Sequence, residues 1–390
     1  MTVSDRGVEL SHLSGATAGV FPRQLLVAAH QAGWIDAGDR KVVHFQPASL
    51  DLRLGETAYR MRCSFLPNGE EVRHKMKQYV IDEVDLRREG AFLDVGRPYL
   101  IQLEESLNLP GFVAGKANPK SSTGRVDVFT RVITDGGNRF DEIPPGYSGP
   151  LWLEVVPLSF AVRVNQGLAL NQLRLSIGRS LLTDEELRRE HGETPLLYRD
   201  RAPLAADELD LSDGLFLSLD LRPEGSRDGG PAYRARENAP PIDLSRERTA
   251  QPEEFWEQVS VDEPGRAILS RKGFYLLMSR EAVVIPPGLA AEMTAYDPTS
   301  GELRTHYAGF FDPGFGYDAA GDVRGSRAAL EVRVHDVPFL VEHGQPVCKL
   351  TFERMIEEPD VLYGAEGSHY QGQTGSLGKH FLAPLPPRAT

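Results

Sequence analysis

Two adjacent hydroxyls, a glycine and an arginine stand together in Ser121-Ser122-Thr123-Gly124-Arg125, directly after Pro119-Lys120. Arginine holds phosphate through two parallel hydrogen bonds, and serine hydroxyls add adaptable donors, so the cluster reads as a phosphate grip. Downstream, the turn Pro145-Gly146-Tyr147-Ser148-Gly149 leads into Leu151-Trp152-Leu153-Glu154-Val155. Glu154 is the one acidic residue of that apolar run. Burial beside Trp152 and Val155 would penalise its charged form and bring its pKa nearer neutrality. Such a carboxyl can accept a proton from water and then hand one to a leaving group. A phosphate grip close to a half-buried carboxylate is equipment for chemistry on a nucleotide.

The elements that must position these residues occur twice. Ser49-Leu50-Asp51-Leu52-Arg53 recurs as Ser218-Leu219-Asp220-Leu221-Arg222, and Leu153-Glu154-Val155 as Leu330-Glu331-Val332. Pro110 to Pro287, Glu154 to Glu331 and Gly167 to Gly344 all span the same 177 positions. A constant offset across separate motifs marks a duplicated domain rather than a short-period solenoid. The expected division is 1–200 and 201–390. Each copy reads as mainly β: short apolar or alternating runs at 98–103, 151–156, 160–164 and 168–177, and at 274–278, 329–334, 339–341 and 346–352, are bounded by Gly, Pro or Asn. Helical periodicity is confined to 22–32, 183–191 and 253–259. The Gly-, Pro- and Arg-rich stretch 223–245 reads as an exposed loop. Many short strands with regular turns predict a barrel or sandwich.

Bulk properties narrow the function classes. The 390 residues suffice for two or three domains. A formal net charge of -13 disfavours general nucleic-acid or anionic-membrane binding, so a polyphosphate would need a local basic pocket. Two cysteines, Cys63 and Cys348, build no disulfide framework. There is no apolar run of membrane-spanning length and no secretory h-region at the start of the chain, which makes cytoplasmic the expected location.

In this order and spacing the motifs resemble the dUTPase / dCTP deaminase superfamily, specifically dCTP deaminase in a long, duplicated form. The resemblance runs from about Ser49 to Phe381. It rests on the Ser-Ser-x-x-Arg grip, the Pro-Gly-Tyr-Ser-Gly turn, the Leu-Glu strand, and His369-Tyr370-Gln371-Gly372-Gln373-Thr374-Gly375, which is similar to the family's C-terminal lid. It implies two tandem dUTPase-like distorted β-barrels with a few short helices, assembling in threes as a homo-oligomer with sites between barrels. It implies conversion of dCTP to dUTP and ammonia, a step supplying dTTP synthesis, with dTTP as a potential inhibitor and Mg2+ carried on the substrate phosphates. Glu154 would be the acid-base residue, Ser121 and Arg125 its catalytic neighbours. Ser122, Lys120, Thr134, Asp135, Tyr147, Tyr370, Gln371, Gln373 and His369 would bind substrate. His369 stands where the family usually has lysine.

The alternative route to deamination uses zinc with an H-x-E and P-C-x-x-C signature, which this sequence lacks. Two other functions stay open. A dUTPase-type or bifunctional hydrolase would use an aspartate near the turn, Asp135 or Asp141, to direct water at phosphorus. A nucleotide-binding regulator would leave Glu154 silent. The second copy offers a weaker set: Glu331, Asp312, and Ser300 with Arg304, where Gly301 stands in place of the second serine. The two copies could also build one site jointly. Asp51 and Asp220 read as strand salt-bridge residues, and His306, His335 and His343 lack metal-ligand spacing.

Overall fold

The structure, a computed structural model, describes residues 10–38, 44–222, 232–294, 303–305, 309–317, 323, 325–365, 370–373 and 375–382. His369, Ser300 and His306 lie outside them, as does the side chain of Arg304.

The first copy is a ten-stranded sheet, its main path Val128–Thr134, Ser148–Pro157, Tyr99–Asn108, Leu50–Met61, Ala169–Ile177, Val113–Pro119 and Glu142–Ile143. Every pairing along it is antiparallel. Asp141 knits its two ends. The residue adopts φ +62°, its backbone oxygen accepts from Ala117, its N–H donates to Val132, and its carboxylate accepts from the Val132 N–H at 2.7 Å. The sheet thus closes into a distorted barrel. Its interior is filled by alternate residues of these strands, among them Leu50, Leu52, Leu54, Ile101, Leu151, Leu153, Val155, Leu173 and Leu175. Period-two alternation puts Trp152 and Glu154 on the opposite, outward face.

The second copy repeats the plan. Phe274–Val283 pairs with Ser326–Val334, and Leu289–Thr294 pairs with Pro346–Arg354, as Val113–Pro119 pairs with Ala169–Ile177. Leu330, Val332 and Val334 enter a second core, so Glu331 and Arg333 face outward.

Several expectations change. Helices form at Arg23–Gln31 and Asp184–Glu193, the latter closed by a Thr183–Glu186 capping box. At 253–259, however, a single turn Pro252–Phe255 gives way to the strand Trp256–Gln258, which pairs with Tyr233–Ala235. The described part of 223–245 therefore contributes strands, and Ile242–Asp243 adds to the first copy alongside Val162–Val164. Leu182, Leu187, Leu196 and Leu197 pack in the second core, so the chain changes barrels near 180 rather than at 200.

Charged side chains sunk between the barrels lock them together. Arg174, 2% exposed, donates to Asp312 at 3.2 Å and Glu353 at 3.1 Å, reaches the Ala291 and Phe311 carbonyls, and lies 4.0 Å over the Phe310 ring. Asn118 donates to Glu292 at 2.9 Å, and Arg333 pairs with Asp127. Removing one member of a buried ion cluster strands the rest without solvent. Arg174→Ala is expected to lower unfolding free energy by about 3–5 kcal/mol, read by denaturant unfolding. A loss below 1 kcal/mol would show that Arg174 is not a pin between the barrels.

Candidate functional site

The grip folds as a single helical turn, Ser121–Gly124, that ends the strand Val113–Pro119. Lys120 N–H and Thr123 Oγ1 both donate to the Leu170 carbonyl, which fixes the turn against Ala169–Ile177. Ser121, Ser122, Lys120 and Arg125 then face a cavity of about 300 Å3 at the junction of the barrels. The second barrel supplies Glu331, Asp312 and Ala329, with Phe310, Phe311 and Phe315 as an apolar wall. Arg23, Lys120, Arg125 and Lys379 bring four cations to the cavity of an acidic protein, where a polyphosphate would compete with the carboxylates Asp360, Asp51 and Glu247 that pair with three of them.

Glu331 lies against the grip itself. A Cβ added to Gly124 would stand 2.2 Å from Glu331 Oε2, so the carboxylate occupies the space that any other residue would fill. Burial pushes the Glu331 pKa up to about 8, opposed by the Arg125 charge and reinforced by Asp127. Asp312 is likewise raised by burial, opposed first by Arg174. Lys120 pairs with Asp51, whose other oxygen Oδ1 is buried without a hydrogen-bond partner. Asp51 is thus a salt-bridge residue as expected, with Lys120 as its partner, while its strand neighbour Arg53 binds Glu105 at 2.6 Å. In the second copy Asp220 does reach Arg222 at 3.6 Å, and Arg327 at 2.8 Å.

The C-terminal segment comes from the second barrel and crosses the grip. The Tyr370 ring lies 3.9 Å from the Arg125 guanidinium. Gln373 Oε1 accepts from Arg125 at 2.6 Å while its Nε2 donates to the Arg327 carbonyl, and the Ser376 and Leu377 carbonyls accept from Arg125 at 3.3 Å. Phe381 ends the crossing in the first core beside Phe255 and Trp256. Gln371 turns away, bonded to Gly314 and Gly316.

Sequence reasoning matched the grip with Glu154, but the structure sets Glu331 beside it. Glu154 lines no part of this cavity. It accepts a hydrogen bond from Ser64, and burial raises its pKa against that bond and the Arg131 charge. Thr134, Asp135 and Tyr147 are also outside: Asp135 caps the Val72 N–H at 2.7 Å, and Tyr147 donates to the Pro150 carbonyl at 2.6 Å. Asp141 is spent on barrel closure. Arg304 lies on a strand, Leu303–Thr305, in register with Arg333, not on a helical turn like Arg125. The 177-residue offset connects the two sets: Asp312 and Glu331, which line the cavity, stand where Asp135 and Glu154 stand in the first copy. Phe310, Phe311 and Phe315 carry no sequence signal because an apolar wall leaves no motif, and Arg23 carries none because it is a lone cation on the helix Arg23–Gln31.

The fold and this site define a protein of two tandem β-barrel copies with a cavity of about 300 Å3 between them. The family model described as 2'-deoxycytidine 5'-triphosphate deaminase (DCD) N-terminal domain matches residues 17–179, and that of the C-terminal domain matches 183–381. The chain belongs to the dCTP deaminase family. A solved dCTP deaminase from Agrobacterium tumefaciens is similar at 43% identity and a TM-score of 0.80, covering 87% of this chain and 99% of that one. The dCTP deaminase of Natronomonas pharaonis is 30% identical over 50% of this chain and 91% of its own length. A dUMP-forming dCTP deaminase of Coprothermobacter proteolyticus is 30% identical over 36% of this chain and 70% of its own.

Arg125 is the post on which the terminal segment rests. A hydrogen bond to a charged group contributes about 1.5–3 kcal/mol, so losing even one should raise the open population roughly ten- to hundredfold. Limited proteolysis of Arg125→Ala should therefore clip the 370–382 segment faster by at least about tenfold. Unchanged cleavage would remove Arg125 from that role.

Proposed function

We propose that the chain converts dCTP and water to dUTP and ammonia in the cavity between its barrels, with Glu331 as the acid-base group. The observation that carries this reading is the Glu331 carboxylate against the Gly124 turn, in a chain of the dCTP deaminase family. Ionised Glu331 takes a proton from water, and the resulting hydroxide adds to C4 of the cytosine. The carboxyl then returns the proton toward the amino group, which leaves as ammonia. Ser121, Ser122, Lys120 and Lys379 meet the phosphates, and Mg2+ arrives as part of the substrate. Arg125 holds the Tyr370–Gln373 segment over them and lowers the cost of ionising Glu331. Excluding water strengthens each of these electrostatic contacts.

Glu331→Gln keeps the shape and removes the proton acceptor. It is expected to lower kcat by about 10²–10⁴ while nucleotide binding survives. Glu154→Gln should stay near the parent rate. Ammonia release with chromatography of the products measures both, and also separates dUTP from dUMP plus pyrophosphate. The opposite ranking would return the assignment to Glu154.

The pH dependence follows from the raised pKa of Glu331. Below about pH 8 the free enzyme holds Glu331 mostly neutral, and only roughly one molecule in ten carries the carboxylate one unit lower. kcat/KM should climb through an acid limb near pH 8. The same group stabilises the fold least at high pH: its contribution is full below the unfolded carboxyl pKa and is lost as pH rises through about 8. A kcat/KM profile flat from pH 6 to 9 would contradict the assignment.

A further inference from the structure

The outward face that carries Glu331 in the second barrel has a counterpart in the first. Ala329, Glu331 and Asp312 occupy the repeat positions of Trp152, Glu154 and Asp135. In the second barrel this face is docked on the grip of the first, and small Ala329 leaves room for the cavity. In the first barrel the same position holds an indole, 1% exposed, which fills the equivalent volume.

What covers that face is the chain's own residues 62–79. Val72 and Met76 pack on Trp152, Leu100 and Ile133, and Arg73 stacks 5.7 Å over the Trp152 ring. Both carboxylates that would serve a second site are turned to this segment. Glu154 accepts from Ser64, and Asp135 caps the Val72 N–H. Backbone bonds from Asn68 and Gly69 to Gly137 and Gly136 fasten it further. A head-to-tail interface closes into a ring or runs on from copy to copy unless one of its faces is blocked. Here that face is blocked from within.

We propose that the first barrel's half-site is retired, its catalytic face converted into the seat of residues 62–79, and that each chain holds one working site built wholly by its own two barrels. The proposal rests on the Glu331 reading above. Chains can still associate, but no chain completes another's site.

Complementation between two inactive variants tests it. Glu331→Gln spoils the second barrel's contribution and Arg125→Ala the first's. If sites formed between chains, co-expressing the two would rebuild about a quarter of them intact by random pairing. The expected result is no recovery above the single variants, with Glu331→Gln binding one nucleotide per chain by calorimetry. Recovered activity, or two nucleotides per chain, overturns the single intramolecular site. If either variant alone is active, the Glu331 or Arg125 assignment fails instead. Arg125→Lys, which keeps the charge but loses the fork, repeats the mixing experiment should Arg125→Ala not fold.

Discussion

A carboxylate pressed against a backbone turn organises this molecule. Glu331 sits where a Cβ on residue 124 would sit, so one barrel's acid and the other's phosphate grip share a single packing contact. Burying a carboxyl so completely is unfavourable unless charge is arranged around it. Arg125 offsets part of that cost, and Arg125 is itself held by the Tyr370 ring and the Gln373 side chain. The acid, the grip and the terminal segment are consequently one electrostatic unit. None keeps its environment if the barrels separate.

Polar and apolar groups together keep the barrels in place: Phe274 and Leu276 of the second copy pack in the first core, and Val20 and Ala48 pack on Ala290 and Met355. Arg174 gathers Asp312 and Glu353, and Glu292 takes Lys116 and Asn118. These pairs are directional, so they fix the rotation of one barrel on the other as an oily interface would not. Arg174 also orients Asp312, a cavity residue, so the same guanidinium serves docking and site geometry. Phe381 and Trp256, both beyond the repeat boundary, sit in the first core and keep the terminal segment on course.

Duplication supplies two copies of the outward face, and the two have diverged in side-chain volume. Trp152 against Ala329 is one substitution in register, yet the indole fills a space and the methyl leaves one. Asp135 and Glu154 kept their chemistry and changed their partners: each is now satisfied by the 62–79 segment. Equal motifs in a sequence thus stand for unequal roles once the neighbours differ.

The amino-acid sequence by itself determined the duplication, the barrel class, most strand positions, and the grip Ser121-Ser122-x-x-Arg125, because period-two patterning, turn residues and a constant offset are local properties of the chain. It named both glutamates and favoured Glu154, whereas the folded chain sets Glu331 against the grip. Which carboxylate meets the grip depends on how two barrels dock, and docking is set by residues far apart in sequence, such as Arg174 with Asp312 and Arg333 with Asp127. The strand at 256–258 was hidden for the same reason: an amphipathic run next to Pro252–Phe255 reads as helix until Tyr233–Ala235 offers it a ladder. Tertiary structure decided those questions because burial and charge partners, unlike residue type and spacing, exist only after the chain has folded.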